Sequence, residues 1–429
     1  MNPFKEYDVR GIYGEDITPE FAYELARNIV MHLKCSELIV ARDGRLSSDL
    51  LHEHFCKGVM DQGCSVHDIG IASTPHFYFA LIKFQKPGVV ITASHNPKEY
   101  NGFKIMDKEL NAVSKRNGLK KIEKLMKDKN FSEPYKKGNY MEIHTKKYYI
   151  DFLRSHTTDR NISFIVDSSN GSGTIEVDYL DGVYTNCQVI NQNIDGNFPN
   201  HSPDPLHKQS HIQIKNKIIN SEADFGVIFD GDADRAIFFD EKGDMIRPEL
   251  ILTLFNITGD VLYDVRSSQS LAVHVRNQNK TAFMVKTGRS NLVADMKEKD
   301  ATCGVEGSGH YFFKEFNYLD SAILAVLKLI AYIKVPLSNF IYQKNLYHHS
   351  GELNFKVKDK VNLLQKIKTS FNPNKLLELD GISMYFDNGW FNIRPSNTEN
   401  LVRLNIEALT NEELSQYKQK LTEIINQFQ

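Results

Sequence analysis

Asp230, Asp232 and Asp234 occupy alternate positions of the string Asp230-Gly231-Asp232-Ala233-Asp234-Arg235. Alternate residues of an extended segment point to one side, so the three carboxylates converge. Three like charges held together require a cation, and an all-oxygen ligand set favours a hard one, Mg2+ or Ca2+. An EF-hand count is the rival reading. Acids fall at its first, third and fifth positions, and Glu241 at its twelfth. Its sixth position, where the sharp turn needs glycine, holds Arg235, and the flanks Gly226 to Phe229 and Ala236 to Phe239 read as strands rather than helices. A solvated acidic turn without metal is the third alternative; the strand on each side argues for a positioned site.

A second stretch runs from Gly88 to Lys104, GVVITASHNPKEYNGFK. Val89-Val90-Ile91 reads as a buried strand. Pro97 and the small polar residues before it predict an exposed turn, which places Ser94 on a loop at a strand end. Asn101-Gly102 predicts a second tight turn leading into Phe103-Lys104. A hydroxyl (Ser94), an imidazole (His95) and a lysine (Lys104) thus leave one strand end together; the alternative is a polar surface turn. Farther on, Glu306, Ser308 and His310 alternate on a loop with Gly304, Gly307 and Gly309. Glycines permit close backbone approach to a ligand, and these side chains suit vicinal hydroxyls. Arg394-Pro395-Ser396-Asn397-Thr398-Glu399, followed by Arg403, reads as an anion site: hydroxyls and successive N–H groups form a nest, and arginine grips phosphate with two donors. Together these offer a hydroxyl nucleophile, a hard-metal site, a hydroxyl reader and a phosphate clamp. That set suits phosphoryl transfer, where positioning and electrostatics supply most of the catalysis. A Ser-His-Asp hydrolase fits poorly, because there is no G-x-S-x-G and Ser94 and His95 are adjacent.

The elements that must position these groups follow in chain order. Phe4 to Gly14 reads as loop, with Arg10-Gly11 at a turn. Thr18 caps a predicted helix with Pro19 in its first turn and Phe21, Leu25 and Ile29 on one face. Leu38-Ile39-Val40 predicts a strand ending at Asp43-Gly44-Arg45. The same rhythm repeats through Val66 to Ile69 and Ser73-Thr74-Pro75, and strands alternating with helices predict parallel sheets. Lys115 to Lys137 reads as a solvated helix and connector. A second α/β unit holds the strand Ile162 to Val166, the glycine-rich turn Asp167 to Gly173, a proline-rich connector from Asn197 to Pro205, and the strand before Asp230. A third holds the turn Lys286-Thr287-Gly288-Arg289 and the apolar helix 322–333, opened by Asp320. The remainder has shorter strands, a strand-turn-strand from Trp390 to Ala408, and a final helix with the capping box Thr410-x-x-Glu413. The expected units are 1–140, 141–241 and 242–345, three similar mixed α/β domains, and 346–429, a smaller α+β domain.

The whole chain of 429 residues is 41% hydrophobic and 25% charged, ordinary for a globular protein. Its net charge of −2 excludes a global field for nucleic acid. The longest apolar run, Ala322 to Ile333, contains Lys328 and is too short to span a bilayer. The first residues show no apolar signal-peptide segment, and the five scattered cysteines contain no C-x-x-C, so the expectation is a cytoplasmic protein without a zinc site. The expected assembly is a monomer or homodimer.

YDVRG, TASHNP, YNGFK, DGDADR, GVEGSGH and RPSNTEN occur in this order, and the chain that carries them resembles the α-D-phosphohexomutase family, the four-domain phosphomannomutases and phosphoglucomutases, over essentially its whole length. The resemblance implies four domains around a central cleft and a Ser94 carried as phosphoserine. It implies Mg2+ held by the Ser94 phosphate with Asp230, Asp232 and Asp234. Glu306 and Ser308 would hold the sugar O3 and O4. Arg394, Ser396, Asn397 and Thr398, with Arg403, would hold the distal phosphate of a hexose phosphate. Arg10, His95, Lys104, Arg235 and His310 would line the transfer site, with Lys104 or His310 moving the proton, and Lys286 and Arg289 would add a further substrate contact. The implied reaction interconverts hexose 6- and 1-phosphates through a hexose 1,6-bisphosphate, both intermediate and activator. Asn397 resembles phosphomannomutases more than phosphoglucosamine mutases, whereas Val305, Gly307, Ser321 and Asn400 depart from the family's commoner residues; the first two bear on sugar preference. A non-catalytic sugar-phosphate-binding protein and a calcium-binding module are the competing classes. A clamp that holds either phosphate while the other reacts implies that the last domain moves. Solution scattering should therefore change when a hexose phosphate is added; one fixed profile would contradict this.

Overall fold

The structure, a computed structural model, describes residues 2–128, 134–396 and 400–429. The chain forms two compact units. The first comprises Met1–Pro248, Leu254–Asn256 and Ser308–Ser338; the second comprises Glu249–Thr253, Ile257–Gly307 and Asn339–Gln429.

The first unit begins with β1 (Val9–Ile12), β2 (Glu37–Arg42), β3 (Ser65–Ile71), β4 (Gly88–Ile91), β5 (Tyr100–Met106) and β6 (Tyr140–Glu142), in the sheet order β1-β5-β4-β2-β3-β6. Helices alternate with β2, β3 and β4, and β2 runs parallel to both β3 and β4. All four residues of β4 are buried, as expected of a strand covered on both faces. The first helix, Pro19–Leu33, starts as its sequence predicts: the Thr18 hydroxyl accepts from the Phe21 N–H at 3.1 Å, and Leu25 and Ile29 are buried in the same core as Phe55, Val89 and Phe103.

Three expectations are corrected here. The sheet is mixed, because β5 pairs antiparallel with both β4 and β1. Phe4 to Gly14 is not all loop, since Arg10 and Gly11 lie within β1. Asn101-Gly102 is no tight turn but part of β5, where Gly102 faces Arg10 across the ladder. One physical fact accounts for the last two. A Cβ on Gly102 would stand 2.4 Å from the Val9 carbonyl oxygen, so the glycine lets β1 close on β5 instead of turning the chain.

The same unit continues with β7 (Phe164–Asp167), β8 (Cys187–Ile190), β9 (Phe225–Phe229), β10 (Ala236–Asp240) and β11 (Met245–Ile246), ordered β11-β10-β9-β7-β8. β9 and β10 form an antiparallel hairpin, Phe229 opposite Ala236, and the acidic string is its connection. In the second unit, β12 (Val261–Asp264), β13 (Ala282–Val285) and β14 (Cys303–Val305) run parallel with β12 central. The first unit adds the antiparallel pair β15 (Tyr311–Phe313) and β16 (Leu319–Asp320), then the buried apolar helix Ala322–Tyr332. Ser321, not Asp320, caps that helix, because Asp320 is taken up by β16. Among the described residues no single helix is long and apolar enough to cross a membrane.

The second unit ends with β17 (His348–His349), β18 (Leu353–Lys356), β19 (Lys375–Leu377), β20 (Ile382–Phe386), β21 (Gly389–Pro395) and β22 (Leu401–Ala408), antiparallel in the order β17-β22-β21-β20-β19, with β18 also on β22. The closing helix, Asn411–Asn426, carries the predicted capping box between Thr410 and Glu413.

His76 lies on the helix Thr74–Phe84, buried against Tyr149 with ring centroids 4.8 Å apart, and its Nε2 meets the Thr145 hydroxyl at 2.7 Å. Burial, with the nearby Lys146 charge, lowers its pKa to about 4. The unfolded chain therefore binds this proton more readily, and the stability contributed by the neutral ring is present above about pH 6.5 and lost as pH falls towards 4. A His76→Gln variant should lose stability at neutral pH, and the gap to the native chain should narrow between about pH 7 and about pH 5 in calorimetry. A gap that stays constant would contradict this.

Candidate functional site

β4 delivers the chain to Thr92, and the loop that follows is the expected turn, exposed from Pro97 to Glu99 but not at Ser94. Ser94 is 2% exposed, and His95 and Asn96 are half-buried. Ser94 has φ +52°, a left-handed conformation that costs an L-residue about 1–2 kcal/mol. Its N–H donates to the Thr92 hydroxyl at 2.9 Å, and its own Oγ donates to Asp230 Oδ2 at 2.6 Å. The acidic loop packs directly beneath it. A Cβ on Gly231 would stand 2.6 Å from the Ser94 carbonyl oxygen, so this glycine is required by close approach.

The β9–β10 hairpin holds Asp230, Asp232 and Asp234 fully out of solvent, with one oxygen of each within 4.8 Å of the others. The flanking strands remove the EF-hand alternative, which needs helices there. Asp230 Oδ1 accepts from the N–H groups of Asp234 and Arg235 at 3.1 and 3.2 Å, which curls the loop around its first acid. Asp232 Oδ2 accepts from the Thr74 hydroxyl at 2.6 Å and from Lys104 Nζ at 2.5 Å; Lys104 also bridges to Asp234. Asp232 Oδ1 is buried with no hydrogen-bond partner. A buried, unpartnered carboxylate oxygen beside two more carboxylates and a serine hydroxyl is the donor set of a hard divalent cation. The site therefore fits such an ion.

The electrostatics divide the acids. Burial, then the charges of Asp234 and Asp232, hold the Asp230 carboxyl well above the usual range. Burial pushes Asp234 the same way, but Lys104, His310 and Arg235 outweigh it and hold that carboxyl well below. Lys104 is held as a cation, since Asp232 and Asp234 overcome its burial. In this arrangement it donates hydrogen bonds and cannot accept a proton. Burial, reinforced by Arg235 and Arg10, keeps the His95 ring neutral.

The other residues expected at the transfer site gather here. Arg10 Nη1 donates to Asn96 Oδ1 at 2.6 Å, and Arg10 pairs with Asp8. Arg235 Nε donates to His310 Nε2 at 3.3 Å, and His310 Nδ1 lies 2.9 Å from the Ser308 hydroxyl. A backbone bridge between Arg235 and His310 fixes the two loops, and the Ala236 N–H donates to the Gly309 carbonyl at 2.9 Å.

The second unit carries a separate constellation. Glu306 is buried and accepts from the Gly288 N–H at 2.8 Å, with Arg266 Nη2 4.0 Å away. Lys286 is exposed at the end of β13, and Arg289 opens the next helix. Arg394 donates to the Thr287 hydroxyl at 3.1 Å and to Glu352 at 2.7 Å, and Glu352 also takes Arg403 at 3.1 Å. The Ser396 N–H pairs with the Leu401 carbonyl. Asn397 and Thr398 lie outside the described residues.

Sequence reasoning passed over Thr74, Arg266 and Glu352. Arg266 had a signal: Tyr7-Asp8-Val9-Arg10 recurs as Tyr263-Asp264-Val265-Arg266, and each arginine pairs with the aspartate two residues before it. Thr74 and Glu352 had none, since neither stands in a motif.

Four family models described as phosphoglucomutase/phosphomannomutase match in series: alpha/beta/alpha domain I at 1–133, domain II at 140–243, domain III at 250–345 and the C-terminal domain at 352–424. A phosphomannomutase of Methanocaldococcus jannaschii is 36% identical, covering 99% of this chain and 96% of its own. One of Vibrio cholerae is 33% identical, with 98% of each covered. The crystal structure of a phosphoglucomutase/phosphomannomutase family protein from Burkholderia thailandensis superposes with a TM-score of 0.90 at 27% identity, covering 98% of this chain and 96% of that one.

The fitted cation site makes a binding prediction. Millimolar Mg2+ should raise the melting temperature in calorimetry, by the equivalent of about 2.7 kcal/mol at a hundredfold excess over Kd. Asp232→Asn should abolish that rise. An equal rise in the variant would contradict the assignment.

Proposed function

Because this chain belongs to the phosphoglucomutase/phosphomannomutase family, we propose that it interconverts hexose 6-phosphate and hexose 1-phosphate through a phosphoserine at Ser94. The observation that carries the reading is the Ser94 hydroxyl, buried and hydrogen-bonded to the first of three converging carboxylates. Mg2+ bound by Asp230, Asp232, Asp234 and the Ser94 phosphate would neutralise phosphoryl charge.

The chain's own residues do the rest. Phosphoserine 94 gives its phosphoryl group to the free hydroxyl of the hexose monophosphate: the Ser94 Oγ–P bond breaks, a sugar O–P bond forms, and the hydroxyl proton leaves. Arg10 and Arg235 hold the phosphoryl oxygens, and Lys104, kept cationic by two aspartates, stabilises the charge. His310, whose Nε2 lies 3.3 Å from both Arg235 Nε and Asp234 Oδ1, is the better placed of the two proton-transfer candidates, since Lys104 is held as a cation. The other phosphate of the hexose 1,6-bisphosphate then returns to Ser94. Arg394, Ser396, Asn397, Thr398 and Arg403 hold the distal phosphate, Glu306 and Ser308 hold O3 and O4, and Lys286 and Arg289 contact the sugar phosphate. The substrate pair is mannose 6-phosphate and mannose 1-phosphate. Glucose phosphates form a second reading, because a grip on O3 and O4 does not read C2. We place the protein in the cytoplasm as a monomer or homodimer, in keeping with its free cysteines.

Turnover of mannose 1-phosphate, glucose 1-phosphate and glucosamine 1-phosphate, assayed in parallel with Mg2+ and a trace of hexose 1,6-bisphosphate, tests this. Mannose phosphate should turn over, with glucose phosphate second, and Ser94→Ala should abolish both. Glucosamine phosphate alone would overturn the sugar assignment; no turnover on any sugar would favour a binding protein.

A further inference from the structure

Arg45 stands three residues beyond β2, in the loop Asp43-Gly44-Arg45, and is 3% exposed. Its guanidinium faces four backbone carbonyls of a single loop. Nη2 donates to the oxygens of Ser94 at 2.8 Å and Asn96 at 2.6 Å; Nη1 donates to those of Pro97 at 2.7 Å and Tyr100 at 3.0 Å. Nε donates to Asp43 Oδ2 at 3.1 Å. All five N–H donors of the side chain are thereby used. The Phe198 ring covers one face of the guanidinium, 5.0 Å from Cζ.

The holder is itself held. Asp43 Oδ1 accepts from the Arg45 N–H at 3.0 Å and from the Ser48 hydroxyl at 2.5 Å, and Asn101 Nδ2 donates to the hydroxyls of Ser47 and Ser48. A Cβ on Gly44 would stand 2.0 Å from Ile194 Cγ2, so the loop closes only with glycine there.

We infer that Arg45 is a positioning residue for phosphoryl transfer: by gathering the carbonyls of Ser94, Asn96, Pro97 and Tyr100, it fixes the left-handed Ser94 turn that aims Oγ at the acidic loop. The inference rests on the phosphohexomutase reading of Ser94. The physical argument is specific to arginine. Ser94 is held at an unfavourable φ, and its own carbonyl is one of the four acceptors, so the peptide plane that follows it is pinned. Only a planar fork of five donors spans four carbonyls and a carboxylate at once; a lysine ammonium offers three donors at one point. Arg45 touches neither the three aspartates nor the residues assigned to the sugar and the distal phosphate, so it acts through the Ser94 loop alone.

An Arg45→Lys variant tests this by kinetics and by hydrogen exchange. A loop displaced by about an ångström costs about a hundredfold in rate, so kcat should fall by about that factor while KM changes by less than about twofold. Amide exchange over residues 94–100 should accelerate while β9 and β10 stay protected. A kcat close to native, whether or not exchange changes, would overturn the inference, as would native exchange in the 94–100 segment. Should Arg45→Lys fail to fold, Asp43→Asn decides in its place, with a kcat lowered about tenfold expected and an unchanged kcat overturning the inference. If the native chain turns over no hexose phosphate, the mutase reading itself has failed, and exchange over 94–100 alone decides whether Arg45 holds the loop.

Discussion

Three carboxylates confined to one short, water-excluded loop are the constraint to which the surrounding structure answers. Each buried carboxylate would be costly alone, and their mutual repulsion adds to the cost. The fold meets it with positive charge and donors from several separate stretches of the chain: Lys104 from β5, Thr74 from the start of a helix, Arg235 from the loop itself and His310 from the approach to β15. The mixed topology follows from that need. An antiparallel β5 beside β4 sets Lys104 opposite Val90, one strand away from the chain that continues into Ser94. A further parallel crossover would have placed a helix there instead.

Close approach is the second theme, and backbone does the work. Gly102 admits β1 and brings in Arg10; Gly231 lets the acidic loop lie against the Ser94 carbonyl; Gly309 carries φ +92° where the Arg235 and His310 loops join. The two charged systems also differ in kind. In the first unit, cations surround a group of anions, an arrangement that favours a divalent ion and a transferring phosphoryl group. In the second, Arg394 and Arg403 converge on one carboxylate, Glu352, with two arginines available to a single oxyanion.

Much of this was legible in the residues. Strand-flanked alternating acids and the placing of Ser94 on a loop at a strand end are found as expected, because short-range periodicity and turn chemistry are local properties. The α/β rhythm and the helix caps at Thr18 and Thr410 were equally local. What remained hidden depends on distant partners. Gly102 looked like a turn residue because Asn-Gly is a turn signal, and only the Val9 carbonyl makes it a strand residue. Ser94 looked exposed because its neighbours are small and polar, yet those groups are satisfied by Asp230, Arg45 and Thr92 rather than by water. Arg45 and Glu352 carry no motif; their roles exist only once a loop or a pair of arginines is folded around them.

The central claim is that Ser94 carries and transfers the phosphoryl group, and a single-turnover experiment addresses it directly. The protein would be loaded with labelled phosphoryl from hexose 1,6-bisphosphate, separated from sugar, and mixed with unlabelled mannose 6-phosphate and Mg2+. The account predicts that label resides on Ser94 beforehand, by mass spectrometry, and then passes to the sugar as it leaves the protein, through hexose 1,6-bisphosphate into mannose 1-phosphate. Label that never reaches Ser94, or that leaves it only as inorganic phosphate, would contradict the account.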